Sequence, residues 1–150
     1  MTIETLFLIC NVFVVPAWVL LVVAPRSVWT TRVVHSMLVP CVLGTVYVLV
    51  FALGPGAPEG GSFGSLPGVM ALFTVPQIAL AGWVHYLVFD LFVGAWEARD
   101  AQRRGIAHAI VVPCLVLTFL VGPAGLLAYL GVRWALRREV GLGEMRATAS

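Results

Sequence analysis

Residues 5–24 run for about twenty positions without a charged side chain, and three more apolar stretches of similar or greater length follow. About twenty apolar residues, at roughly 1.5 Å of rise each, match the ~30 Å hydrocarbon core of a bilayer. A chain of 150 residues that is 61% hydrophobic and 11% charged has too few charges to clothe itself in water, since soluble domains carry roughly 25%. These features predict an all-α, multi-pass membrane protein whose main partner is the lipid bilayer. It reads as a single transmembrane domain over residues 1–150, with spans at about 5–24, 33–53, 75–96 and 106–132 and a flexible tail at 141–150.

The N-terminus has no positively charged lead-in, and its first apolar stretch is too long for a signal-peptide core, so it reads as a retained helix. The third stretch, 66–96, is too long for one straight span and carries its own break at Thr74-Val75-Pro76-Gln77. Thr74 with Gln77 three positions on is a capping-box pattern, and Pro76 suits a first helical turn. Residues 66–73 then form a short interfacial or re-entrant turn before helix three. Pro16, Pro40, Pro76, Pro113 and Pro123 put a proline in or near every span, and each interior one frees a carbonyl about four residues earlier. The predicted architecture is therefore a kinked four-helix transmembrane bundle.

The net charge of +2 is too small to argue for nucleic acid. All basic residues are arginine, and with the abundance of Ala, Gly and Val this suggests a GC-rich bacterial genome, hence a bacterial inner membrane. With four spans, Arg26, Arg32, Arg99, Arg103 and Arg104 share one side and the four tail arginines the other, so the positive-inside rule votes only weakly on orientation. Cys10, Cys41 and Cys114 lie inside apolar stretches, an odd number without CxxC spacing, and read as packing residues. Metal, nucleotide and hydrolase motifs are absent, no pore-lining charge series argues for a channel, and nothing names a cofactor.

The informative residues are the polar ones inside the spans. Asp90 sits seven residues inside Glu97, roughly 10 Å into helix three. An ionised carboxylate there costs several kcal/mol unless it has a partner, a cavity or a proton. Function and helix packing both explain such a residue, and function is the stronger reading. His85 lies five positions earlier, roughly 140° around the helix, beside Trp83 and Tyr86. Gly82, Tyr86, Asp90 and Gly94 share one face. Cys114, Thr118, Gly122, Gly125 and Tyr129 form a matching stripe that is expected to face helix three. A backbone bond is the favoured role for Thr118. Asn11 and Trp18 share a face of helix one, and a buried Asn calls for a cross-helix partner.

The run Ala81-Gly82-Trp83-Val84-His85-Tyr86-Leu87, continuing Phe89-Asp90-Leu91-Phe92-Val93-Gly94, resembles the signature of the ABA4-like family. Asn11 with Pro16-Ala17-Trp18 and Pro25 resembles its first helix, and Pro113-Cys114-Leu115, Leu117-Thr118-Phe119 and Gly122-Pro123 resemble its last. Ala95 departs from the basic residue expected between that glycine and tryptophan. The plant members are chloroplast membrane proteins needed to make neoxanthin from violaxanthin, a step with no net redox change. The resemblance implies a four-helix membrane protein acting on or near a carotenoid or other isoprenoid. In an isomerase-like enzyme Asp90 would donate or accept the proton and His85 would be its complementary base or an orienting group. Tyr86 and Trp83 would pack on the polyene, and Asn11, Trp18 and Thr118 would line the substrate. The alternative is a non-enzymatic carotenoid- or lipid-binding accessory protein serving other membrane enzymes; a small transporter is the weakest reading.

Overall fold

A computed structural model describes residues 2–139 and Gly141. The expected tail at 141–150 lies outside the described residues except for Gly141. The described residues are all-helical, without a strand.

Helix α1, Ile3–Val23, starts where the Thr2 hydroxyl accepts the Thr5 backbone N–H at 3.1 Å and ends before Pro25. A short helical segment α2, Val28–Thr30, passes into a π-helical turn, Thr31–His35. Met37 then adopts a left-handed conformation with φ of 64°, and α3 runs Leu38–Ala52. This break at Met37 puts Pro40 in the first turn of α3, where its missing N–H has no helical partner to lose. Helix α4, Leu66–Leu72, is the short turn expected before helix three. Thr74 does not cap that next helix. Its hydroxyl instead donates 2.7 Å to the Ala71 carbonyl and closes α4. Helix α5 begins with Pro76 in its first turn and continues to Arg103, seven residues beyond the expected end. Its 28 residues extend about 42 Å, further than a hydrocarbon core requires.

The fourth apolar stretch departs from expectation. It is two helices, α6, His108–Val121, and α7, Pro123–Arg137, separated by Gly122 with φ of 39° and ψ of −94°. No residue with a Cβ adopts that backbone without strain, and Pro123 starts a new helix in its own first turn. Helix α7 then folds back along α6. A Cβ on Gly125 would stand 2.1 Å from the Thr118 backbone nitrogen, so only glycine permits the approach. At the other end of α7 the Arg137 guanidinium donates 2.7 Å to the Gly105 carbonyl, beside the start of α6. The two helices form a hairpin that ends where it began.

Helix α5 is the hub and packs against α1, α3 and α6. Its Leu80, Val84, Leu87 and Leu91 meet Cys10, Val14, Ala17 and Leu21 of α1 in the core. Three helical segments, Ile3–Val23, Val28–Ala52 and Pro76–Arg103, are long and apolar enough to cross a membrane, and only 28% of the first is buried within the protein. Its outward face is apolar, as lipid requires.

The hairpin changes how charge is distributed. Pro25 accepts from Gln102 at 3.2 Å and the Val22 carbonyl lies 2.8 Å from the His108 ring, so the first and third loops meet. Arg137 brings the end of α7 to the same place. Arg26, Arg32, Arg99, Arg103, Arg104, Arg133, Arg137 and Arg138 therefore collect at one end, away from Glu4 and Glu59. A four-span chain would have divided them. The positive-inside rule predicts a cytoplasmic location for that end. In a variant with its three cysteines replaced by alanine, Glu59→Cys is expected to react with a membrane-impermeant maleimide from outside intact cells, and Arg138→Cys only after lysis. Reaction of both from the same side would mean four crossings.

Candidate functional site

The face of α5 that meets the hairpin carries Asp90, Glu97 and Asp100, each three to seven residues from the last and so on one side of the helix. The three carboxyl groups have different surroundings.

Asp90 faces the hairpin turn. Its Oδ1 lies 2.6 Å from where a Cβ on Gly122 would stand, so the carboxyl rests directly against the Gly122 backbone. Its Oδ2 is buried and has no hydrogen-bond partner. The Tyr86 hydroxyl, one turn away, donates 3.1 Å to the Phe119 carbonyl and is also within hydrogen-bonding reach of Asp90. Its single proton serves one acceptor at a time.

Glu97 is fully buried, and the Thr118 hydroxyl lies 3.0 and 3.1 Å from its two oxygens. The favoured backbone role for Thr118 is thus corrected: α6 turns its side chain toward α5, and the nearest strong acceptor there is a carboxylate.

Asp100 is enclosed by cations. Arg104 Nε is 3.0 Å from both of its oxygens, the Tyr129 hydroxyl donates at 2.6 Å, and Arg133 lies 3.3 Å away. Arg104 also pairs with Glu139, and Arg133 donates to the Gly141 carbonyl. Arg133 and Tyr129 are entirely inaccessible to solvent. Trp96 closes the cluster, edge-on to Tyr129 at 5.5 Å. Sequence reading placed Glu97, Asp100, Arg104 and Arg133 in loops and tail and so missed this network. The signal that was available is their spacing: 97, 100 and 104 continue the face of Asp90, and Tyr129 and Arg133 are four apart.

Most of the residues singled out in sequence lie along one seam between α1, α5 and α6. The Trp83 indole donates 3.1 Å to Asn11, giving that amide its cross-helix partner. Trp83 packs on Tyr86 with ring centres 5.3 Å apart. Tyr86 bonds Phe119, and Phe119 meets Trp18 at 5.3 Å. Trp18 lies on Gly94, where a Cβ would come 2.6 Å from its ring. Beside this seam Val15, Trp18, Val19, Leu115, Val116 and Phe119 line an apolar groove of about 220 Å³.

His85 is the exception. It stacks on Phe89 at 4.5 Å and meets Tyr47 of α3 at 6.1 Å, edge-on. Five residues on a regular α-helix turn His85 and Asp90 roughly 140° apart, toward different neighbours.

Long apolar helices around a buried line of carboxyl groups, hydroxyls and arginines define this chain as a helical membrane protein with an internal polar face. A family profile described as ABA DEFICIENT 4-like matches residues 5–129, and the chain belongs to the ABA4-like family. It is similar to "Protein ABA DEFICIENT 4, chloroplastic" of Arabidopsis thaliana, 26% identical over 135 residues, covering 84% of this chain and 59% of that protein. The chain thus spans less than two thirds of that relative's length. No solved structure matches.

Asp100 holds three side chains in a buried place, and removing one partner of a buried ion pair typically costs about 3–5 kcal/mol. Asp100→Ala is expected to lower the free energy of reversible unfolding in detergent by about that much. Tyr129→Phe, which removes one charge-assisted hydrogen bond, should lose about 1.5–3 kcal/mol. Equal stability of Asp100→Ala and the parent would show that this cluster does not tie the hairpin to α5.

Proposed function

We propose that this protein is a bacterial inner-membrane enzyme that isomerises a long apolar isoprenoid, a carotenoid or a molecule like one, without net oxidation or reduction. Asp90 carries the proton. The observation that supports this most directly is the buried Asp90 oxygen without a hydrogen bond at the Gly122 turn; an apolar groove reaches Phe119, whose carbonyl accepts the Tyr86 hydroxyl. That oxygen has left water without gaining a fixed partner, and an ionisable side chain at membrane depth is by default a candidate for function. Similarity to a plant protein of the neoxanthin step supports a polyene substrate; the substrate itself is not carried over.

An isomerisation of this class removes one proton from carbon and returns one proton to the product, so atoms and electrons balance within the substrate. One carboxyl is sufficient when it accepts the proton in one step and returns it in the next, as general acid–base groups do. Tyr86 is placed to donate to Asp90 or to release it, since its hydroxyl has the Phe119 carbonyl as an alternative acceptor. In the groove, Trp18 and Phe119 offer the flat surfaces a polyene packs against. In the bilayer, α1, α2–α3 and α5 cross, and the α6–α7 hairpin enters and leaves through the arginine-rich side.

The accessory reading draws support from the displacement of His85, which leaves Asp90 without an imidazole beside it. The two readings separate in a carotenoid-producing host whose pigments are extracted and compared by chromatography. Asp90→Asn is expected to lower product formation at least 100-fold, the lower range of general acid–base contributions, while the purified variant keeps its bound pigment. Unchanged product formation in Asp90→Asn would remove the enzyme reading.

A further inference from the structure

Around α5 from Asp90 and Glu97 lies a cavity of about 150 Å³, lined by Arg99, Arg103, His35 and Trp96 with Met37 and Phe92. This is on the order of ten times the volume one water needs. Arg99 makes no hydrogen bond or ion pair among the described residues. Arg103 is half-exposed and reaches only the edge of the Asp100 cluster, 3.6 Å from one oxygen. The ring Nδ1 of His35 is buried without a partner. Among the described residues no carboxylate lines the cavity, and two guanidinium groups and an imidazole nitrogen without a partner converge on it.

Local structure explains how they meet. Phe92, Trp96, Arg99 and Arg103 recur at three- and four-residue intervals and share one stripe of α5. The opposite wall comes from the π-helical turn Thr31–His35 and the left-handed Met37. Together these interrupt the second apolar stretch and bring His35 beside that stripe. Arginine forks suit the paired oxygens of phosphate. The cavity sits at the arginine-rich end, with Trp96 at its wall as an interfacial aromatic residue is placed.

We propose that this cavity binds a phosphate group, held by Arg99 and Arg103 with His35 as a further hydrogen-bonding contact. At this level of the fold the natural source is the headgroup of an anionic phospholipid, with its acyl chains lying along Phe92 and the apolar outer face of α5. Such a lipid would fix the helix at a set depth.

The test is native mass spectrometry of the detergent-purified full chain with phosphatidylglycerol, with dioleoylglycerol as a lipid lacking phosphate, and with inorganic phosphate. The parent is expected to retain one phosphatidylglycerol and no dioleoylglycerol. Arg99→Gln/Arg103→Gln should bind it at least tenfold more weakly, and Arg26→Gln, outside the cavity, should bind as the parent does. Arg99→Gln alone, at an exposed side chain with no bond to lose, gives a partial loss without risk to folding. Protection of the parent but not the double variant by inorganic phosphate, without retained lipid, would support the phosphate site and assign it to a soluble ligand. The proposal is overturned if the double variant and the parent bind phosphatidylglycerol and phosphate equally, if the parent binds neither, or if dioleoylglycerol binds as well.

Discussion

A helix cannot stop at membrane depth unless something takes the carbonyls that its last turn leaves unpaired. The hairpin at Gly122 meets that requirement with groups from the protein itself. The Gly122 N–H closes on Thr118, and Gly125 and Leu126 both bond back to the Gly122 carbonyl. The Phe119 carbonyl, which the break deprives of a helical N–H, receives the Tyr86 hydroxyl from α5. Tyr86 therefore belongs to the structure before it belongs to any chemistry. Because the break is satisfied there, α7 is free to return, and only its return puts Tyr129 and Arg133 beside Asp100.

Two acids ten residues apart on the same helix thereby acquire opposite characters. Asp100 has a tyrosine and three arginines around it, and a carboxylate with that many donors is a fixed anchor. Asp90 has one shared tyrosine, a glycine backbone and an oxygen without a hydrogen bond. Anchors and working groups differ in this way: a side chain whose partners are all engaged has nothing left to offer a ligand. Glu97 lies between, bonded to a single hydroxyl. Along α5 the number of fixed partners rises from the hairpin tip toward the arginine-rich end.

Much of the fold was legible because it is local. The charge-free run at 5–24 became α1 within two residues at its start and one at its end, and Pro76 marked the start of α5. Asn11, Trp83 and Tyr86 were recognisable as polar atoms that a bilayer would not leave alone, and each has a partner. What could not be read locally is direction. Hydropathy reports that residues 106–132 are apolar, and a straight span and a folded-back pair have the same hydropathy. The Gly-Pro pair was visible, but it was read as a kink, because the close approach of Gly125 to Thr118 that makes it a reversal is a contact between helices. The error then propagated: placing the tail on the far side hid the Arg133–Asp100 pair and left Glu97 looking like the edge of a loop. The His85 angle was available from sequence alone, and the structure follows it.

The same geometry couples the tip of the hairpin to its base. Helix α7 is gripped at its base by Asp100 through Tyr129 and Arg133, while its first turn begins at the Gly122 backbone against which Asp90 rests. A helix of 15 residues is stiff over its roughly 22 Å. A tilt of α7 at the base therefore moves Gly122 relative to the Asp90 carboxyl. The Tyr86–Phe119 bond ties the neighbouring turn of α6 to α5 and limits that movement. The buried arginine cluster thus sets how closely Asp90 is covered, and the apolar groove at Phe119 opens beside the part of the hairpin that the cluster positions.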